Sequence, residues 1–293
     1  MPYHKGMAVN DSSRGELPRL SFHLGPDEND YSLELFRQAE PAQVRADHLI
    51  RLLNPRRGER YLDVNGGDAI VSQRLSRNEG EWVALAWTPS AVELRQRFMA
   101  MVHLFQGLPL PFETSTFDAV VMTEIFHRVP DPREWVAECH RILKPGGRWI
   151  LEVPFFRPFS PLRPLQRRLP AFYAGGEFRP GFSPQGLFEL LKVGFDVHAV
   201  VPYSRFFLTL ADLLLQQAVR RARYRSDSHR RIRRLYAMAF PLFRLAEGLD
   251  RLCLLSRGYR LAVLARRHVW RDRSPLGRFL GQPAAAHVIR PIR

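Results

Sequence analysis

Two short segments of the sequence place residues suited to chemistry directly after apolar runs. The first is Asp63-Val64-Asn65-Gly66-Gly67-Asp68-Ala69, and the second contains Glu124 and His127. Glycines let a backbone approach a ligand closely and adopt positive φ angles. A histidine can act as a general base or orient a substrate, but it can also pack and form local hydrogen bonds. His127 is therefore the candidate catalytic residue, and Asp63 either contacts a ligand or caps its own loop.

These segments lie within a regular alternation of strands and helices. Apolar runs predict six strands, at residues 60–64, 82–87, 117–123, 148–153, 196–202 and 259–266. Helical patterns occur at residues 41–53, 69–76, 89–101, 132–143 and 183–191 and within 206–255. Such alternation predicts a parallel sheet that helices cover on both faces. Ligands of open α/β sheets bind beyond the carboxyl ends of the strands, where the strand order reverses, so both segments are expected at that edge.

Four segments occur in the order and spacing of one known family. They are residues 53–64, ending in Tyr-Leu-Asp-Val; residues 88–94, Thr-Pro-Ser-Ala-Val-Glu-Leu; residues 110–132, from Leu-Pro-Phe through Phe-Asp-Ala-Val-Val to His-Arg-Val-Pro-Asp-Pro; and residues 140–147, His-Arg-Ile-Leu-Lys-Pro-Gly-Gly. Together they resemble class I methyltransferases of the ubiquinone- and menaquinone-biosynthesis type, the methyltransferase type 11 group. The resemblance covers residues 45–200, with a weaker match at 259–267.

The resemblance implies an α/β fold and a cofactor. The fold is a Rossmann-like, seven-stranded, mostly parallel sheet with helices on both faces and a helical insertion before the last strand. The cofactor is S-adenosylmethionine, with no metal, and the acceptor is a small molecule or a lipid- or glycan-linked substrate. The residues implied in cofactor binding are Asp63, Asn65, Gly66, Gly67, Trp87, Leu108, Thr123 and Glu124. His127 lies near the expected position of the transferred methyl group.

The chain departs from the family pattern at the cofactor loop and after the second strand. Asn65 and Ala69 stand where the family has the first and third glycines of its loop. Ala86 stands where the family has the acid that binds the ribose hydroxyls, and alanine cannot accept those hydrogen bonds. Trp87 could offset part of the loss by stacking on adenine. The alternative to an active methyltransferase is a non-catalytic relative that keeps the fold as a binding or scaffolding module.

The pattern divides the chain into five parts. An irregular arm (1–40) precedes the methyltransferase core (41–202), a basic helical insertion (203–258), the last core strand (259–273) and a tail (274–293). The insertion combines an arginine cluster at 220–234 with an apolar stripe formed by Met238, Leu242, Leu245, Leu249 and Leu252. This combination suits an anionic membrane surface. An amphipathic helix packed on its own domain is the alternative.

The net charge of +15 is compatible with an anionic partner, but the preference for arginine over lysine is also typical of a compositional bias. Nucleic acid is not favoured, because Thr-Glu-Ile-Phe at 123–126 replaces an Asn-Pro-Pro-Tyr-type motif. Only two cysteines, Cys139 and Cys253, are present, which favours a reduced compartment. Without an apolar run long enough to span a bilayer or a signal-peptide pattern, the sequence predicts a cytoplasmic protein, and peripheral contact with a membrane is one of the two alternatives for its insertion.

Overall fold

The computed structural model describes residues 40–66, 69–157, 160–162, 179–223, 228–252 and 258–269. The predicted arm before residue 40 and the tail after residue 273 lie outside these residues, as do Gly67 and Cys253. Seven strands form one sheet. They are β1 (Arg60–Asn65), β2 (Glu81–Ala86), β3 (Met101–Leu104), β4 (Phe117–Thr123), β5 (Leu143–Pro154), β6 (Phe195–Tyr203) and β7 (Arg260–Arg267).

The strand order is β3-β2-β1-β4-β5-β7-β6. Strands β1 to β5 pair in parallel, whereas β7 lies between β5 and β6 and is antiparallel to both. This arrangement confirms the predicted Rossmann-like, mostly parallel sheet. The order reverses between β1 and β4, so the carboxyl ends of these two strands form the edge at which such a sheet binds ligands.

Seven helices are described: α1 (Glu40–Leu53), α2 (Ala69–Ser76), α3 (Pro89–Gln96), α4 (Pro132–Ile142), α5 (Pro184–Leu191), α6 (Phe206–Arg223) and α7 (Ser228–Leu252). Two apolar cores fill the space between sheet and helices. Side chains from alternate positions of β1 enter different cores, with Leu62 and Val64 in one and Tyr61 in the other. Burial on both faces explains why the central strands are continuous apolar runs.

The structure corrects two sequence-based boundaries. Helix α3 ends at Gln96 rather than near residue 101, and Met101–Leu104 forms the unpredicted strand β3. Because β3 is a four-residue edge strand with no fully buried side chain, it gives no clear apolar signal. Strand β5 begins at Leu143, earlier than predicted, because Leu143 pairs with Phe117 across a register shift.

Helices α6 and α7 occupy the predicted insertion between β6 and β7. The carboxylate of Asp250, near the end of α7, accepts hydrogen bonds from the backbone N–H groups of Phe207 (2.8 Å) and Leu208 (3.0 Å). These donors lack partners within the first turn of α6, so Asp250 caps that helix. The contact also shows that the two helices run antiparallel. Neither they nor any other described helix is long and apolar enough to cross a membrane.

Candidate functional site

The segment that ends β1 packs directly against the end of β4. The backbone N–H of Gly66 donates to the carbonyl of Thr123 over 3.0 Å. A Cβ atom on Gly66 would lie 3.1 Å from the carbonyl oxygen of Glu124, closer than ordinary van der Waals contact. Neither Asn65 nor Gly66 has a positive φ angle. Gly66 is therefore required by close packing, and Asn65 needs no left-handed conformation because it belongs to the strand.

Two buried ionisable residues, Asp63 and Arg95, lie beneath this loop. Asp63 is fully buried in β1, and Arg95 of α3 is 2% exposed. Burial raises the pKa of Asp63 to about 6, although the charge of Arg95 and the hydroxyl group of Ser72 reduce the effect. The guanidinium of Arg95 also donates to the carbonyl of Asn65 over 3.4 Å. Arg95 gave no sequence signal, since an arginine on a short helix is normally solvated.

The end of β2 carries an aromatic cluster instead of an acid. Ala86 is fully buried there. The indole N–H of the half-buried Trp87 donates to the carbonyl of Asn65 over 3.0 Å, which joins β2 to β1. The Trp87 ring lies 4.3 Å from Phe105 and 6.0 Å from Trp135, between ring centroids. Leu108 packs against the same core. Trp87 and Leu108 thus lie at the predicted edge, but Trp87 already uses its N–H group within the protein.

Glu124 belongs, through its side chain, to a network of ion pairs. Its φ angle of 60° is in the left-handed region, which is uncommon for a residue with a side chain. Its carboxylate pairs with Arg45 of α1 over 2.8 Å and with Arg260 of β7. Arg260 also contacts Glu152 of β5 over 2.6 Å, and Tyr203 of β6 donates its hydroxyl to Glu152 over 2.6 Å. We call Arg45, Glu124, Glu152, Tyr203 and Arg260 the ion-pair cluster.

Opposite charges in the ion-pair cluster offset the cost of burying one another. Burial alone would raise the pKa of Glu124, but the charges of Arg260, Arg45 and Arg128 hold that pKa well below its usual range. The pKa of Tyr203 is well above its usual value because of burial and the nearby charge of Glu152. At neutral pH Glu124 is therefore a carboxylate and Tyr203 a neutral phenol.

His127 lies after β4 but deep in the protein. It is 1% exposed, and its Nε2 accepts a 3.4 Å hydrogen bond from Nε of Arg128. Its carbonyl accepts a backbone hydrogen bond from Arg179 over 3.2 Å. His127 is thus packed and locally hydrogen-bonded, as the alternative to a catalytic role predicts. The catalytic role of His127 stays a prediction.

The structure brings the predicted residues from the ends of β1, β2 and β4 to one edge of the sheet. Gly67 lies outside the described residues. Sequence reasoning missed Arg95 and four residues of the ion-pair cluster. Each lies on a different element: Arg95 on α3, Arg45 on α1, Glu152 on β5, Tyr203 on β6 and Arg260 on β7. The one sequence signal was Glu152, an acid within the apolar run of β5.

The chain matches known proteins both in sequence and in fold. Residues 62–151, from β1 into β5, match the family model for a methyltransferase domain, methyltransferase type 11. A ubiquinone biosynthesis O-methyltransferase of Xylella fastidiosa is 32% identical over 158 residues, which cover 49% of this chain and 57% of the relative. A ubiquinone/menaquinone biosynthesis C-methyltransferase of Ruegeria is 35% identical over 119 residues, covering 37% and 48% of the two chains. The chain thus spans about half the length of these curated relatives.

Solved structures share the fold at lower sequence identity. The [4+2]-cyclase SpnF superposes with a TM-score of 0.52 at 17% identity, over 78% of this chain and 81% of that one. A geranyl diphosphate methyltransferase in complex with S-adenosylmethionine gives a TM-score of 0.50 at 16% identity, over 86% and 94%. These likenesses concern the arrangement of the sheet and helices alone.

Proposed function

Because residues 62–151 form a class I methyltransferase domain of the type 11 group, we propose that the chain transfers a methyl group from S-adenosylmethionine to a small-molecule or lipid- or glycan-linked acceptor. The observation that carries the proposal is the reversal of strand order at β1 and β4, with Asp63 and Gly66 of the matched domain at that point. Two curated relatives are named as O- and C-methyltransferases of quinone biosynthesis, which supports an apolar acceptor.

Asp63 near the end of β1 and Gly66 directly after it suit the methionine end of the cofactor. The cofactor carries a positively charged amino group, and Asp63 offers a carboxylate at that end of β1. Its raised pKa, about 6, indicates an anion whose burial is only partly compensated, so an added cation would be favourable. The close approach of Gly66 to β4 keeps side-chain atoms out of the loop. Asp63 and Gly66 are the described residues that would hold this end.

The ribose end fits less well. Ala86 offers no acceptor, and Arg95, whose guanidinium reaches the carbonyl of Asn65, is a donor. Hydrogen bonds to a charged acceptor contribute about 1.5–3 kcal/mol each, so loss of the pair weakens binding by roughly two orders of magnitude or more. The proposal therefore includes weak cofactor affinity. A non-catalytic relative, favoured by the same residues, would show no affinity at all.

When bound, S-adenosylmethionine supplies an electrophilic methyl group, and the protein contributes mainly by positioning the acceptor. The ion-pair cluster holds α1 and the ends of β4, β5, β6 and β7 in one arrangement around the edge of the sheet. Because Glu124 is fully engaged with arginines, its carboxylate is unsuited to accept the proton of the nucleophile. His127, which is 1% exposed, is the remaining candidate for that role among the predicted site residues.

Isothermal titration calorimetry with S-adenosylmethionine and with S-adenosylhomocysteine tests the proposal. We expect saturable binding of both compounds, with weak affinity because Ala86 provides no acceptor for the ribose. Absence of heat at millimolar ligand would contradict the proposal and favour the scaffolding alternative.

Restoring the missing acid gives a sharper result. We expect Ala86→Asp to tighten binding of S-adenosylhomocysteine by about tenfold or more, because a carboxylate at the end of β2 can accept both ribose hydroxyls. Ala86→Leu is the matched control, since it adds bulk without an acceptor and should not tighten binding. Circular dichroism establishes that both variants fold. Equal affinities for wild type and a folded Ala86→Asp variant would place the ribose away from β2.

A further inference from the structure

Helices α6 and α7 leave an apolar face uncovered. Met238, Leu242, Leu245 and Leu249 follow one another at spacings of four, three and four residues, so they share one side of α7. Met238 is 62% exposed and Leu245 is 61% exposed. Leu214 of α6, 55% exposed, lies beside them in a groove of about 380 Å³ that is almost wholly lined by apolar side chains from both helices.

A different side of α7 packs on the protein. Ile232 and Phe243 are almost fully buried in a small core between α6, α7 and Val44 of α1. The predicted apolar stripe is therefore not the side by which α7 packs on its own domain, and α7 carries two apolar sides. None of the described residues covers the stripe, which stays exposed at Met238, Leu242 and Leu245.

Arginines continue the apolar face at one end. Arg231 lies seven residues before Met238, and Arg234 lies four residues before it, so both extend its side of α7. On α6, Arg221 lies seven residues after Leu214 on the corresponding side. Because the two helices run antiparallel, these exposed arginines meet at the same end of the groove.

Acidic side chains are directed away from this face. Helices α6 and α7 contain nine arginines but only three acidic residues. Asp250 is buried as the cap of α6, and Glu247 pairs with Arg251 over 2.9 Å. The charge of Asp212 contributes to the raised pKa of Arg260 in the ion-pair cluster. Asp212 lies two residues before Leu214, which places it on the opposite side of α6. The uncovered face therefore presents apolar and cationic groups together.

We propose that this face docks on the surface of a bilayer that contains anionic phospholipid. Apolar side chains of an interfacial helix insert at the boundary between head groups and acyl chains, and nearby arginines bind the anionic head groups. A second copy of the chain fits less well, because it would bring the same excess of arginine to the interface. The docking needs no methyl transfer, so its failure is distinguishable from failure of the proposed function.

Flotation of the full chain with lipid vesicles tests the proposal. We expect binding to vesicles of phosphatidylglycerol and phosphatidylcholine, weaker binding to phosphatidylcholine alone, and a loss of binding as salt increases. Leu242→Glu/Leu245→Glu should lower the fraction bound by about tenfold or more. The matched control is Phe188→Glu/Val193→Glu, which places the same charges on exposed apolar residues of α5 and the following turn and should bind like wild type.

A second pair of variants tests the cationic end. Arg231→Gln/Arg234→Gln should weaken binding to the anionic vesicles by about tenfold, whereas Arg244→Gln/Arg251→Gln, which removes the same charge from another side of α7, should have a smaller effect. The proposal is overturned if the wild type binds anionic vesicles no better than vesicles of phosphatidylcholine alone. It is also overturned if the two double arginine variants weaken binding equally. A third contrary result combines two measurements. Sedimentation would show that the wild type is a dimer and that Leu242→Glu/Leu245→Glu is a monomer, and neither protein would bind vesicles. Circular dichroism excludes variants that fail to fold.

Discussion

Replacing Glu124 with glutamine is expected to lower the free energy of unfolding by about 3–5 kcal/mol, the usual cost of leaving buried charges without their partner. The variant leaves the guanidinium groups of Arg45 and Arg260 facing each other, with Glu152 as their remaining carboxylate. Because Glu124 is only 12% exposed, water cannot replace the lost interaction. Denaturation with urea measures the change. The control is Glu247→Gln on α7, whose partner Arg251 is 77% exposed and whose loss should cost less than about 1 kcal/mol.

A double variant separates charge imbalance from lost packing. Removing Arg45 together with Glu124, as Arg45→Met/Glu124→Gln, restores the balance of charges in the cluster. We expect it to be more stable than the sum of the two single variants predicts. A cost for Glu124→Gln no greater than that of Glu247→Gln, or strict additivity in the double variant, would contradict a cooperative cluster.

The sequence predicted the central strands because strands buried on both faces are nearly continuous apolar runs. All but one side chain of β4 is buried, and its apolar run at 117–123 gave the observed bounds. The motifs that identified the family also have a structural reason. Arg141 donates to the carbonyl groups of Phe112 (2.7 Å) and Leu110 (3.1 Å), which joins the third motif segment to the fourth. Motifs that secure the fold predict the fold well, but they do not describe the ligand.

The ion-pair cluster was not predictable by the same reasoning. Each of its charged residues lies on a different element, and 136 positions separate Glu124 from Arg260. Local pattern assigns an isolated arginine on a helix, such as Arg45, to the solvent. Only the strand order brings these residues together. The apolar stripe of α7 was found correctly, but spacing alone could not decide which of two apolar sides faces the protein.

Asp63→Asn is expected to change the pH dependence of stability. The folded chain raises the pKa of Asp63 from 3.8 to about 6, so it binds this proton more tightly than the unfolded chain does. Between these values the folded state holds more protons, and its stability therefore falls as pH rises from about 4 to about 6. A shift of this size corresponds to about 3 kcal/mol. Asparagine cannot ionise, so between about pH 4 and about pH 7 the variant should gain about 3 kcal/mol relative to wild type.

Urea denaturation of both chains across this pH range measures the difference, and other titrating groups cancel because the two chains share them. Asp118→Asn is the control with the opposite sign. Burial would raise the pKa of Asp118, but hydrogen bonds from Lys144 and from the backbone of Arg60 outweigh it and lower that pKa. Stability from Asp118 is present above its ordinary pKa and is lost as pH falls toward the lower folded value. The difference in free energy of unfolding between Asp118→Asn and wild type should therefore be nearly constant between about pH 4 and about pH 7 and change only in more acidic solution.

A constant difference for Asp63→Asn over the same range would contradict the prediction. It would mean that the protein already compensates Asp63 as an anion, which would remove its reason to bind the amino group of a cofactor.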